Sequence, residues 1–259
     1  MHARPIDEKG GDLYLISSCS SGWITRILLA DVSGHGAAVA DLASKLRRAM
    51  HRSINTVDQG ALARELNRAF DSFTTDGRFA TALLATYFAQ SGHLILVNAG
   101  HPPPLILRQG KPVWEPIYME SEFVVRQTSK TVKVGLKNLP LGVIQDTDYE
   151  QIAIPLSQGD RVCLYTDAYM ESSTSENEQI GVDGLTQLLS DADIRSSPIE
   201  HTYQQIVGKL QRNSIKLSDD DQTMILLEHN GAGPSRVTPT IALNWLKNQV
   251  GFGHTDSYV

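Results

Sequence analysis

Apolar residues fall along this chain in two rhythms. From Leu13 to Ser18 and from Trp23 to Ala30 they form short runs separated by Ser20-Ser21-Gly22, a pattern that predicts a hairpin. The second run is nearly all apolar towards its end, as suits a strand buried on both faces, and it leads straight into Asp31. After His35-Gly36 the period lengthens. Ala37, Ala38, Ala40, Leu42, Ala43, Leu46, Ala49 and Met50 predict an amphipathic helix of about 16 residues, rich in small side chains in its first half. A second helix is predicted over 58–73, with Leu62, Leu66, Phe70 and Phe73 on one stripe. Strands then return over 79–89 and 93–98, turning at Gln90-Ser91-Gly92, and again at 105–107 after the break Gly100-His101-Pro102-Pro103-Pro104.

Residues 111–138 carry only brief alternations, such as Phe123-Val124-Val125 and Thr131-Val132-Lys133-Val134. They read as a strand-rich insertion or a loop with marginal strands. Strands at 149–154 and 161–166 flank a turn at Ser157-Gln158-Gly159-Asp160, two helices follow at 182–190 and 198–215, and a last strand runs from Thr223 to Glu228. Mostly antiparallel strands with helices in pairs imply two stacked sheets covered by helices on their outer faces. Residues 1–230 form one domain on this reading. Gly231 to Ser235 reads as a linker into a tail, 231–259, with a short helix from Pro239 that Ile241, Trp245 and Leu246 would dock.

Composition narrows the function. The 259 residues carry a net charge of −6, from 23 basic and 29 acidic side chains, which argues against a nucleic-acid binder. Lys45, Arg47, Arg48 and Arg52 cluster on the first helix, as a solvated face would. Cys19 and Cys163 have neither metal-ligand spacing nor the number for a disulfide framework, as in a reduced, cytoplasmic protein. No apolar run approaches the roughly 20 residues that span a bilayer, so no membrane partner is expected. Met1 to Pro5 lacks an apolar signal core.

The chemistry lies in four acidic motifs placed where strands should end: Gly10-Gly11-Asp12, Asp31-Val32-Ser33-Gly34-His35-Gly36, Tyr165-Thr166-Asp167 and Asp219-Asp220-Asp221-Gln222-Thr223. Carboxylates beside glycines at strand ends are how a fold gathers oxygen ligands for a hard cation such as Mg²⁺ or Mn²⁺. Each Asp taken singly could equally be a helix N-cap or a turn residue, and the Asp triplet a solvated turn. His35 could donate a proton to a leaving group or hydrogen-bond its own loop; His101, between Gly100 and Pro102, suits a turn.

These motifs, with Phe79-Ala80-Thr81-Ala82, Asn98-Ala99-Gly100-His101-Pro102 and Leu139-Pro140-Leu141-Gly142, occur in an order that resembles the PPM-type metal-dependent serine/threonine protein phosphatases, in their bacterial SpoIIE/RsbU-like branch. The resemblance covers about residues 9–229. It implies an α+β, four-layer αββα sandwich with two or more Mn²⁺ or Mg²⁺ ions at one end of the paired sheets. By motif, Asp12 and Asp31 correspond to shared ligands, the Val32 carbonyl to a ligand of one ion, and Asp167 and Asp220 to ligands of the other. Asp12, Asp31 and His35 are the catalytic candidates. The implied substrate is a phosphorylated regulatory protein, such as an anti-sigma-factor antagonist, with a second copy or a sensory domain as further partner.

The chain departs from the family pattern where Leu15 stands at a frequent second Asp, where Ala168 replaces a usual Gly after Asp167 while Glu171 still matches the acidic position, and where segment 111–138 is longer, as a cover for the site or a partner contact would be; little strand also precedes the first motif. A sheet without that strand has a less protected edge, so either the start is truncated or another element, such as the C-terminal helix, covers it. Two rival readings follow: a catalytically weakened phosphatase fold serving as a regulatory binding module, and a phosphoesterase acting on a small molecule.

Overall fold

The structure is a computed structural model that describes residues 2–4, 10–18, 22–56, 58–74, 77–122, 124–127 and 137–232. In chain order its elements are β1 (His2–Arg4), β2 (Asp12–Ser18), β3 (Ile24–Val32), α1 (Ala37–Ser53), α2 (Gln59–Phe73), β4 (Ala80–Phe88), β5 (His93–Ala99), β6 (Leu105–Leu107), β7 (Glu115–Pro116), β8 (Val125–Gln127), β9 (Gln151–Pro155) and β10 (Arg161–Tyr165). A single 3₁₀ turn, Asp167–Tyr169, leads on to α3 (Gly181–Leu189), α4 (Ala192–Ser196), α5 (Ile199–Arg212) and β11 (Gln222–Glu228). One sheet has the order β2-β3-β4-β5-β9-β8 and the other β1-β11-β10-β6-β7, and the pairs within both are antiparallel.

Period-two alternation divides the apolar residues into three layers. On β3, Leu28, Ala30 and Val32 pack with Leu42, Leu46, Leu66 and Phe70 of α1 and α2. Ile27 and Leu29 point the other way and meet Leu83, Ala85, Val162, Leu164 and Ile225 between the sheets. On the far side, Cys163, Tyr165 and Met224 pack with Leu185, Leu189, Ile206 and Leu210 of α3 and α5. Helix pair, sheet, sheet, helix pair is the four-layer sandwich that the strand and helix pattern implies.

Local chemistry sets the helix ends. Asp58 caps α2 by accepting from Ala61 N at 2.8 Å, as the second predicted helix requires. The first helix has no side-chain cap; Gly36, at φ 93°, takes that place. The basic cluster on α1 is a solvated face, with Arg47, Arg48 and Arg52 exposed and Lys45 paired to Asp41.

Several expectations change. The first residues of the chain form β1, which pairs with β11 as Ala3↔Thr223 and Arg4↔Gln222 and so covers that edge of the sheet, a place for which the C-terminal helix was one candidate. The predicted helix from Pro239, Cys19 and the Thr131–Val134 alternation lie outside the described residues. Within 111–138, β7 and β8 are marginal strands of two and three residues.

Candidate metal centre

Strand register brings the first acidic residues together. Asp12 on β2 lies opposite Asp31 on β3, and Asp31 lies opposite Thr81 on β4. All three share the face of Ile27, Leu29 and Leu83, so they stand at one end of the layer between the sheets. From the opposite sheet, Thr166 and Thr223 continue the inward faces of β10 and β11. Both hydroxyls donate to Oδ2 of Asp12, Thr223 at 2.7 Å and Thr166 at 3.0 Å. The Thr223 N–H donates to the Thr166 hydroxyl oxygen at 3.0 Å, which leaves that hydroxyl's one proton to point at Asp12. This clasp spans the two sheets, and it occupies one carboxylate oxygen of Asp12.

The two glycines before Asp12 are there for closeness. A Cβ on Gly11 would lie 2.6 Å from the Val32 carbonyl oxygen and 2.9 Å from Oδ1 of Asp31. A Cβ on Gly10 would lie 2.0 Å from Oδ2 of Asp221. The Val32 carbonyl therefore faces the Asp12 loop, and Val32 N donates back to Gly11 O at 3.2 Å. Beyond Val32 the loop is tied to the start of β4: Ser33 N donates to Phe79 O at 2.9 Å, and Phe79 N donates to Ser33 Oγ at 3.1 Å.

The bland alternatives can now be judged. Asp31 lies inside β3, five residues before the Gly36 cap, so it is no helix cap. Asp167 opens the 3₁₀ turn, where backbone N–H groups face its carboxylate. Asp220 is exposed, and its Oδ1 accepts from Asp221 N at 2.8 Å. His35 is exposed on the 33–36 loop, and among the described residues no hydrogen bond joins it to a carboxylate. His101 is buried: Nε2–H donates to the Tyr165 carbonyl at 3.1 Å and Nδ1 accepts from the Thr81 hydroxyl at 2.8 Å, which makes it a brace between the sheets. Burial holds its pKa down at about 4, so the ring is neutral.

Sequence reasoning missed Asp221, Thr166 and Thr223. Asp221 is buried, and its Oδ2 faces Asp12 N at 3.4 Å. Alternation carried the signal: Asp221, just before β11, shares the parity of Thr223 and Ile225 on it, and Ile225 faces the layer between the sheets. Leu15 has the opposite parity to Asp12 and packs in the helix-side core, so the carboxylate it lacks would not have pointed between the sheets.

Like charges crowd at this end. The Asp31 carboxyl is pushed up to about 8, first by burial and then by Asp12, Asp167, Asp220 and Asp221. Burial also lifts Asp12, to about 7, against the two threonine hydrogen bonds and with help from Asp221 and Asp167. Asp167 is raised by burial and by Asp220, and Glu171 by burial, Asp167 and Asp220. Among the described residues no group of three or more Asp, Glu, His or Cys side chains stands close enough together, as placed, to hold a metal ion. The oxygens on offer, carboxylates and one backbone carbonyl, nevertheless match a hard divalent cation that keeps several waters, and such an ion would relieve the repulsion.

A consequence is measurable without metal. Asp12 and Asp31 bind protons more tightly folded than unfolded, where the value is 3.8. The stabilisation they hold below that value drains as pH climbs through about 7 and about 8. In chelator, thermal denaturation is expected to show stability falling from about pH 4 to about pH 8, and Mn²⁺ at the upper end is expected to restore it. A midpoint that rises with pH over this window would contradict the crowding.

Residues 21–230 match the family model described as stage II sporulation protein E (SpoIIE). The chain belongs to the SpoIIE family. The match includes Asp31, Asp167 and Asp220 and begins after Asp12. Among curated proteins, the chain is 25% identical over 228 residues to the phosphoserine phosphatase RsbU of Bacillus subtilis, covering 86% of this chain and 60% of that protein. Its fold is similar to that of the RsbU and RsbW domains of a Mycobacterium tuberculosis protein, with a TM-score of 0.69, 21% identity, and coverage of 90% of this chain and 59% of that one. It also resembles the SiaA PP2C domain of Pseudomonas aeruginosa, with a TM-score of 0.67, 19% identity, and coverage of 88% and 84%. Two antiparallel sheets with outer helix pairs are thus the SpoIIE-family sandwich. No helix among the described residues is long and apolar enough to cross a membrane.

Proposed function

We propose that this SpoIIE-family chain is a metal-dependent phosphatase of phosphoserine and phosphothreonine in a regulatory protein, such as an anti-sigma-factor antagonist. The observation that carries the reading is the crowding of Asp12, Asp167 and Asp220, from separate strands and loops, close enough to Asp31 to raise its carboxyl, with the Val32 carbonyl and Asp31 both packed against Gly11. The name of RsbU, a phosphoserine phosphatase, supports the substrate class.

Asp31, Asp167, Asp220, the Val32 carbonyl and the Asp12 oxygen outside the threonine clasp would hold two or more Mn²⁺ or Mg²⁺ ions. Bound there, such ions supply Lewis acidity that readies solvent for attack and offsets charge on the phosphoryl group. The protein's part is to hold the ligands still. Thr166 and Thr223 orient Asp12, the glycine pair lets Asp12 approach Val32, and the Ser33–Phe79 bonds fix the carbonyl. His35, exposed on the loop beside Asp31, is the proton donor to the departing oxygen in this reading. Reduced cytoplasmic surroundings suit it, since buried Cys163 is a free thiol.

The weakened-module rival draws on Leu15 and Ala168. Leu15 faces the helices and Ala168 is buried, so neither opens a gap among the carboxylates. Calorimetry with Mn²⁺, followed by turnover of p-nitrophenyl phosphate, a phosphoserine peptide and a nucleotide, separates the readings. Mn²⁺ binding is expected, with hydrolysis of the peptide that EDTA abolishes. Protein that binds no Mn²⁺ and turns over nothing would sink the proposal, and turnover confined to the nucleotide would favour the small-molecule reading.

A further inference from the structure

Large apolar side chains left in water are informative when they gather on one rigid rim. Phe79, Val143 and Ile144 are 40%, 48% and 42% exposed. They belong to neighbouring segments, because Ala80 and Leu141 exchange both backbone hydrogen bonds, at 2.9 and 2.7 Å. The rim also adjoins the candidate metal centre, because Phe79 exchanges hydrogen bonds with Ser33, the residue after the Val32 carbonyl.

The turn that displays Val143 and Ile144 is held firmly. Asn67 of α2 is fully buried, yet it spends its whole amide on this turn. Its Oδ1 accepts from Gly142 N at 2.8 Å, and its Nδ2 donates to the Ile144 and Gln145 carbonyls at 2.9 Å each. Gly142 is in the left-handed region, at φ 85°, and a Cβ there would lie 2.7 Å from Phe70 Cδ1. A buried amide committed in this way makes the turn a fixed platform, and the platform holds two aliphatic side chains out in solvent.

We infer that the Phe79–Val143–Ile144 rim is a docking surface for the apolar residues that flank the phosphoserine of a protein substrate. This rests on the phosphatase reading above and adds the partner's local chemistry. Continuity with the centre names the occupant. A phosphoserine chain laid along Ser33 and Phe79 towards Asp31 and the Val32 carbonyl would carry its flanking residues onto this rim. A small phosphate ester has nothing to place there. Apolar contact at the rim therefore acts on a protein substrate and leaves the chemistry at the carboxylates untouched.

The test uses two phosphoserine peptides of equal length and charge, one with Leu and Val beside the phosphoserine and one with Ser and Gly, together with p-nitrophenyl phosphate. The parent is expected to favour the apolar peptide by about ten-fold in kcat/KM. In the double variant Val143→Ser, Ile144→Ser that preference is expected to vanish, with p-nitrophenyl phosphate turnover and Mn²⁺ dependence unchanged. Equal use of the two peptides by the parent would overturn the inference, as would a variant that loses p-nitrophenyl phosphate turnover in step with the peptides. Light scattering that shows a parent dimer dissociating in the double variant would assign the rim to a second copy and also overturn it. Failure of all three substrates in Mn²⁺ is a different result, because it removes the phosphatase reading itself.

Discussion

Asp31→Asn is expected to reduce Mn²⁺-dependent hydrolysis of p-nitrophenyl phosphate on the order of a thousand-fold, or ~4 kcal/mol of transition-state stabilisation. Asp31 lies opposite Asp12 in the sheet, and it feels Asp12, Asp167, Asp220 and Asp221 through space. It is therefore the carboxylate on which the crowding converges. Asn keeps the shape and one carbonyl oxygen but loses the charge that holds a divalent cation. The same change should leave the metal-free fold intact and raise its stability at about pH 8, because the charged form of Asp31 is the costly one when folded. The paired readout separates loss of chemistry from loss of fold. A variant with full activity at the parent's Mn²⁺ requirement would remove Asp31 from the centre.

The second large effect is expected from a single methyl group. Gly11→Ala puts a carbon 2.6 Å from the Val32 carbonyl oxygen and 2.9 Å from Oδ1 of Asp31. The first neighbour is backbone at the end of β3, held by the bonds of Val32 N to Gly11 O and Ser33 N to Phe79 O, and cannot swing aside as a side chain can, so the Asp12 loop and the Val32 carbonyl must separate. A displacement of about 1 Å between groups that must act together costs on the order of a hundred-fold in rate, and the overpacking costs about 1–3 kcal/mol of stability. Activity is expected to fall by that factor with a raised Mn²⁺ requirement, read from metal-activation curves. Gly208→Ala is the control: on α5 its Cβ meets only Arg212 Nη1, at 3.5 Å, and alanine favours the helix. Parent-like activation of Gly11→Ala would show that the close approach serves packing alone.

Where the sequence spoke clearly, the signal was local. The alternation of β2 to β5, the longer period of α1 and α2, and the Asp58 cap lie in neighbouring residues, and these elements stand within a residue or two of where the pattern puts them. Glycine was legible for the same reason, since a residue without a side chain ahead of Asp12 announces a close approach. The Asp triplet was harder. Its motif drew attention to Asp220, while Asp221 turned inward because β11 continues the parity of Ile225 and Thr223. The first residues of the chain carried too short a pattern to announce β1, whose place depends on pairing with β11 more than 200 residues away.

By itself the sequence determined the layers, the strands that face two ways and the acidic residues available at their ends, because side-chain period and backbone freedom act over a few residues. Only the tertiary structure decided that Thr166 and Thr223 grip Asp12 across the sheets, that Asp221 backs Gly10, that His101 braces Thr81 to Tyr165, and that Phe79 is tied to Ser33 while Ala80 bridges to Leu141, two residues before Val143. Those contacts join residues far apart in the chain. Their partners are chosen by register and sheet packing, which minimise buried unpaired groups over the whole domain, and no stretch of sequence carries that choice alone.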